Sequence, residues 1–339
     1  MYIDKVDERI KKYYKLLCKD YPEWLNEYIE VPELLKQQYI SMSCGTYYSD
    51  LYGQTFFYTS LDHSIGVALI IWNFTHDKKQ TISGLYHDIA TPCFKHCVDF
   101  LNGDYMTQES TEDLTTEIIK NSKEIMRLLE RDNIKLEEIN DYHKYPIADN
   151  DTPQLSSDRL EYSLSGAVFI YGTEDYSLIE EIYNDIEVQN NGSEIELGFK
   201  TKKIARSFVK MTSKLSIIYR DDRTRFSMQL IADILKRLQG DKLIQLRDLY
   251  ELKEKDIIKI IENSKYGEVF NIWRKAKKVK VSKEEPKGVY FVHHGAKIRY
   301  INPLVNGERI SEICKIAKNM IDKNLSYDMS NYVYLDFKI

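Results

Sequence analysis

Apolar residues recur mostly at three- and four-residue intervals along this chain, and that spacing constrains the fold more than any other feature. It is the signature of one buried face on an α-helix. Residues 4–19 read as an amphipathic helix, with Val6, Ile10, Tyr13, Tyr14 and Leu17 on one face. Pro32 suits the first turn of a short helix, where its missing N–H costs little. Residues 42–59, with Gly45, Gly53 and many Ser, Thr and Tyr, read as a loop or irregular hairpin. An apolar helix follows over about 61–76, and another over 80–90, with Pro92 marking a break. Further helices are predicted over 108–130, 155–172, 199–220, 224–239 and 254–277. Short elements occupy 132–154, and a polar loop lies at 189–194.

The pattern changes after about residue 279. The runs Gly288-Val-Tyr-Phe-Val-His-His and Ala296-Lys-Ile-Arg-Tyr-Ile-Asn are rich in β-branched and aromatic residues on either side of Gly295. They read as a hairpin, followed by a helix at 308–323 and a strand at 331–338. The expected fold is therefore mainly α, with residues 1–279 forming the helical body. Residues 280–339 would form a small α+β unit of hairpin, helix and strand. The seam carries Arg274, Lys275, Lys277, Lys278, Lys280 and Lys283.

A length of 339 residues is enough for a sizeable core. Forty-eight Lys+Arg against 53 Asp+Glu give a net charge of −5, which disfavours a nucleic-acid-coating protein. It leaves room for a small phosphorylated ligand. No apolar run is long enough to span a membrane, and the first residues lack a signal-peptide core. Five cysteines without a CxxC suggest a reducing, cytoplasmic setting. Cys93 and Cys97 read as buried thiols. The basic run Lys202, Lys203, Arg206, Arg220, Arg223 and Arg225 reads as a solvated face. His293 and His294, side by side on a strand, would point to opposite faces and so not share a metal.

Seven histidines are present, and two of them lie in apolar helical surroundings: His63 near the start of one segment and His87 near the end of the next. A polar side chain on such a face needs a partner. Asp88 follows His87 directly, and Asp158 opens a later helix. Imidazole nitrogens and carboxylate oxygens that converge between helices are suitable ligands for Zn, Mn, Fe or Mg-type cations. The other His-Asp pair, His76-Asp77, sits in a polar turn and reads as solvated.

The strings Ser60-Leu-Asp-His63-Ser-Ile-Gly-Val-Ala, Gly84-Leu-Tyr-His87-Asp88-Ile and Asp158-Arg-Leu-Glu-Tyr162 resemble the HD-domain metal-dependent phosphohydrolases. The branch they are most similar to is that of the deoxynucleoside-triphosphate triphosphohydrolases. The resemblance covers roughly residues 40–240. It implies an HD-domain helical bundle in which His63, His87, Asp88 and Asp158 hold one divalent metal ion, Mn, Fe, Zn, Ni or Mg. It also implies hydrolysis of a nucleotide or another phosphorylated small molecule, and relatives often form homo-oligomers. Glu109, or Glu112 one turn later, would be the general base or acid. His96 would contact substrate or move a proton, Arg159 would pair with phosphate, and Tyr162 would face a sugar.

The chain departs from the family pattern at three places. Thr91 and Gln108 stand where relatives carry histidines, and Ser60 stands where they carry a phosphate-contacting arginine. These changes remove proton donors and a phosphate clamp, and they argue against a two-metal site. They leave the four expected ligands intact. They also support an alternative: a catalytically degenerate HD-fold protein that binds a nucleotide or a partner without turnover.

Overall fold

The computed structural model describes residues 1–107, 114–190 and 192–339. The chain is mainly helical, a bundle with a small α+β unit, as the periodicity predicts. The helices that position the site are α1 (Glu8–Leu17), α2 (Ser60–Thr75), α3 (Lys78–Tyr86), α4 (Ser157–Ser165), α5 (Lys202–Ile218), α6 (Asp222–Gly240) and α7 (Lys315–Leu325). One apolar core gathers α1 to α5 and α7 around Tyr13, Leu69, Leu85, Leu164 and Phe208. A second surrounds α6, with Phe94, Phe226, Phe270 and Trp273 fully buried.

Local chemistry fixes the ends of the central helices. Thr59 caps α2 by accepting from the Asp62 N–H at 2.9 Å, while Asp62 accepts from the Thr59 N–H at 3.1 Å. His76, with φ 50, closes α2, and its N–H donates to the Trp72 carbonyl at 2.9 Å. Asp77 then caps α3 through the Lys79 and Gln80 N–H groups. The second His-Asp pair is thus the turn between two packed helices.

Two glycines let these helices approach closely. A Cβ on Gly84 of α3 would lie 2.1 Å from Ile71 Cδ1 of α2. A Cβ on Gly66 of α2 would lie 2.8 Å from Glu161 Cγ of α4. Helix α2 is therefore approached closely by α4 at Gly66, within a turn of His63, and by α3 at Ile71, about two turns further on.

The strands are β1 (Ile186–Asn190), β2 (Ile195–Phe199), β3 (Lys280–Ser282), β4 (Phe291–Val292), β5 (Leu304–Val305), β6 (Glu308–Arg309) and β7 (Tyr332–Tyr334). They form two sheets, ordered β1-β2-β5-β6 and β3-β7-β4. β5 runs parallel to β2, with Gly198 opposite Leu304. The predicted hairpin around Gly295 is not formed. β4 pairs with β7, with Val292 opposite Val333, and residues 295–302 form no strand. The backbone of that segment is bonded elsewhere: Lys297 N–H donates to the Tyr105 carbonyl at 3.2 Å and Asn302 N–H to Pro153 at 2.9 Å. The Arg299 carbonyl accepts from Asn324 Nδ2 at 3.2 Å. With these partners no ladder is needed.

Other helical readings shift in detail. The 254–277 segment is two helices, Glu254–Glu262 and Gly267–Lys275. The 155–172 segment ends in a π-turn over Gly166–Ile170. The basic run does not form one solvated face, because Arg220 and Arg225 are fully buried. Arg225 donates to the His294 carbonyl and to Asp222, both at 2.5 Å, and so ties residues 280–339 to α6. The cationic seam is matched by carboxylates: Arg274 to Glu262 at 2.6 Å, Lys277 to Asp50 at 2.6 Å, Lys283 to Asp328 at 2.9 Å. Among the described residues no helix is long and apolar enough to cross a membrane.

Candidate metal centre

His63 sits one position after the capping aspartate of α2 and is buried. Its Nδ1 faces the Glu161 carboxylate on α4. Glu161 is itself fully buried; it also accepts from Tyr58 at 2.6 Å and from Ser165 at 3.2 Å. This set of partners fixes the ring and places the proton on Nδ1, so that Nε2 looks into the bundle. His87 is the residue that ends α3, and its Nδ1 donates to the Gly84 carbonyl at 2.7 Å. Its Nε2 is thereby left as an acceptor. Asp88 lies just beyond the helix in a turn, which corrects the expectation that both residues share one helix. Asp158 enters from the first turn of α4, whose cap is Ser156.

The four groups converge. His63 Nε2 lies 3.2 Å from His87 Nε2 and 3.1 Å from Asp158 Oδ1. His87 Nε2 lies 3.7 Å from Asp158 Oδ1 and 3.8 Å from Asp88 Oδ2. His63, His87 and Asp88 offer ligand atoms all within 4.8 Å of one another, a cluster that can hold a metal ion. Two imidazole acceptors facing each other between carboxylates are stable only with positive charge among them, either an added proton or a cation. The titration behaviour agrees. Burial alone would push His63 down, but Glu161 and Asp158 outweigh it and hold its pKa up at about 10. Burial would push Asp158 up, but the two histidines pull its pKa down to about 2. The donor set of two imidazoles and two carboxylates suits a divalent transition metal or Mg.

A cavity of about 790 Å³ opens over the cluster. Its wall includes His96, Arg159 and Tyr162, together with Lys95, Lys297 and Arg299. His96 Nδ1 contacts Asp99 Oδ2 at 2.8 Å, burial lowers its pKa, and its Nε2 faces Arg299 Nη2 at 3.5 Å. Arg159 pairs with Asp149 at 3.2 Å and donates to Asn150 at 2.6 Å. Burial pushes the Tyr162 hydroxyl up to about 12, so it remains a donor. Glu109 and Glu112, with Gln108, lie outside the described residues. Cys93 and Cys97 are buried thiols that donate to the Leu252 and Cys44 carbonyls. His293 and His294 follow β4 rather than lying on a strand, and they stack separately on Tyr332 and Tyr105.

Sequence reasoning missed two residues of the centre. Glu161 lies three positions after Asp158, on the same helix face, and that spacing was a usable signal. Lys95 carried no local signal. It is 5 % exposed, and its Nζ meets Asp88 Oδ2 at 2.5 Å. It reaches that place because Phe94 and Lys95 are both left-handed, with φ 65 and 45. Each such non-glycine residue costs about 1–2 kcal/mol. The surroundings enforce it: the Phe94 ring is fully buried, and its N–H donates to Glu254 Oε1 at 3.0 Å.

No family model matches the chain. It is similar to the uncharacterised protein YdhJ of Bacillus subtilis (strain 168), with 24% identity over 279 residues. That match takes in 80% of this chain and 83% of the other.

Proposed function

We propose that this protein is a metal-dependent phosphohydrolase acting on a nucleotide or a related phosphoester. The observation that carries the reading is the convergence of His63, His87, Asp88 and Asp158 at the base of a cavity with basic side chains on its wall. In this reading those four residues hold one divalent ion, Mn, Fe, Zn, Ni or Mg. The ion supplies a Lewis acid that makes water nucleophilic near neutral pH and offsets phosphoryl charge.

The chain's own groups do the rest. Glu161 and the Gly84 carbonyl hold the two rings through Nδ1, so that both Nε2 atoms are turned into the cluster that would hold the ion. Arg159 presents a guanidinium that Asp149 and Asn150 already orient, so little freedom is lost when phosphate arrives. Tyr162 donates its hydroxyl to the sugar. His96, neutral with Asp99 behind it, takes or returns a proton at Nε2. The general acid or base assigned to Glu109 belongs to this proposal as well.

The degenerate reading has its own support: Thr91 is buried and gives no proton donor to the cavity wall. A phosphate-release screen separates the two. Nucleoside mono-, di- and triphosphates are offered with each of the five metals. Release that disappears in His87→Ala supports the hydrolase. Nucleotide binding with no release in any combination favours the degenerate protein.

A further inference from the structure

We propose that Lys95 grips a phosphoryl oxygen of the substrate beside the metal cluster, from a different element than the arginine expected at position 60. This rests on the hydrolase reading and adds a substrate-contacting residue to it. The Lys95 ammonium has three protons to place. One goes to Asp88 Oδ2 at 2.5 Å. The other neighbours are poor: the Met42 thioether at 3.1 Å and the Ser60 hydroxyl at 3.4 Å. A buried cation with one strong partner and two weak ones has most to gain from an anionic oxygen.

Its position matches that need. Lys95 borders the same cavity as the cluster and lies against Ser60, where the resemblance expects a phosphate-contacting arginine. The cavity wall carries Asp88, Asp158 and Asp149 as well as Lys297 and Arg299. A phosphate at the cluster itself meets the Asp88 and Asp158 carboxylates, and Lys95 is the cation already bonded to one of them. Arg159, oriented by Asp149 and Asn150, meets the phosphate from another part of the wall and has its ion pair with Asp149 rather than with the cluster. Among the described residues, Lys95 is the lysine or arginine that is ion-paired to a member of the cluster. The backbone adds to the case. At φ 45 a glycine or asparagine would fit this turn with less strain. The turn itself does not call for a lysine, so the need lies at the end of its side chain.

The test compares wild type with Lys95→Met, Lys95→Arg and Lys95→Gly; the last also relieves the left-handed backbone. Each protein is loaded with Mn(II), assayed for metal content and titrated calorimetrically with inorganic phosphate at fixed ionic strength. Lys95→Met and Lys95→Gly are expected to keep the wild-type metal content and to bind phosphate at least about tenfold more weakly. Lys95→Arg recovers part of the affinity. Unchanged phosphate affinity in the loaded Met and Gly variants overturns the assignment. Loss of the metal itself in both also overturns it, since Lys95 would then merely position Asp88. If wild type takes up no metal, the hydrolase reading fails on its own account. The metal-free phosphate titration then decides for Lys95: tenfold weaker binding in the variants supports it, and equal binding overturns it. If Lys95→Met does not fold, Lys95→Gly carries the comparison.

Discussion

Glu254 lies outside the cavity but holds the turn that delivers Lys95, and its ionisation gives a quantitative handle on that turn. Its side chain is fully buried. Burial raises its pKa from the ordinary 4.5 to about 7, although the Phe94 N–H and the Tyr48 hydroxyl, both at 3.0 Å, and the charge of Lys95 oppose the rise. The native state therefore holds a proton that the unfolded chain releases near pH 4.5. Stability from this group is fully present below pH 4.5 and is lost as pH rises toward 7 and beyond. At about 1.36 kcal/mol per pH unit, the interval amounts to about 3 kcal/mol. The perturbation is Glu254→Gln, which keeps the size and removes the titration. Any packing penalty of the substitution is the same at each pH and cancels in the slope. Urea midpoints would be measured for both proteins from pH 4.5 to 8 at constant ionic strength. Wild type should lose about 3 kcal/mol more than the variant across that range. Parallel profiles would refute the argument, and so would a wild type that gains stability relative to the variant as pH rises.

Other expectations follow from the same geometry. Glu161→Gln preserves volume but removes the charge that orients His63; metal affinity should fall about 10–100-fold in a metal titration, and an unchanged affinity would contradict the supporting role. Gly84→Ala places a methyl group where Ile71 Cδ1 lies 2.1 Å away, and the overpacking should lower stability by about 1–3 kcal/mol in urea unfolding. A loss under about 0.5 kcal/mol would mean that Ile71 moves aside freely.

Much of the helical body was legible because buried faces repeat with the helix period. The 61–76 reading became Ser60–Thr75, and 224–239 became Asp222–Gly240. Sheet pairing was not legible, because it is settled between distant segments. β5 finds β2 across about a hundred residues, and Arg299 and Asn302 spend their backbone bonds on Asn324 and Pro153. The four expected ligands fall together through two glycines, Gly66 and Gly84, whose closeness to Glu161 and Ile71 no local pattern reveals. Charge misled in two directions. Arg220 and Arg225 read as solvated but pin the C-terminal segment, and Lys95 reads as one lysine among many but is buried against Asp88. In each case the deciding partner lies elsewhere in the chain: Asn324 for Arg220, His294 for Arg225, and for Lys95 the turn that Glu254 enforces.

The most direct test of the central claim is elemental analysis of the purified protein beside a His87→Ala/Asp88→Ala double variant, both checked for folding by circular dichroism. The account predicts one equivalent of a divalent metal per chain in wild type and none in the variant. Wild type that takes up no metal after incubation with Mn, Fe, Zn, Ni or Mg, or a variant that retains it in full, would contradict the account.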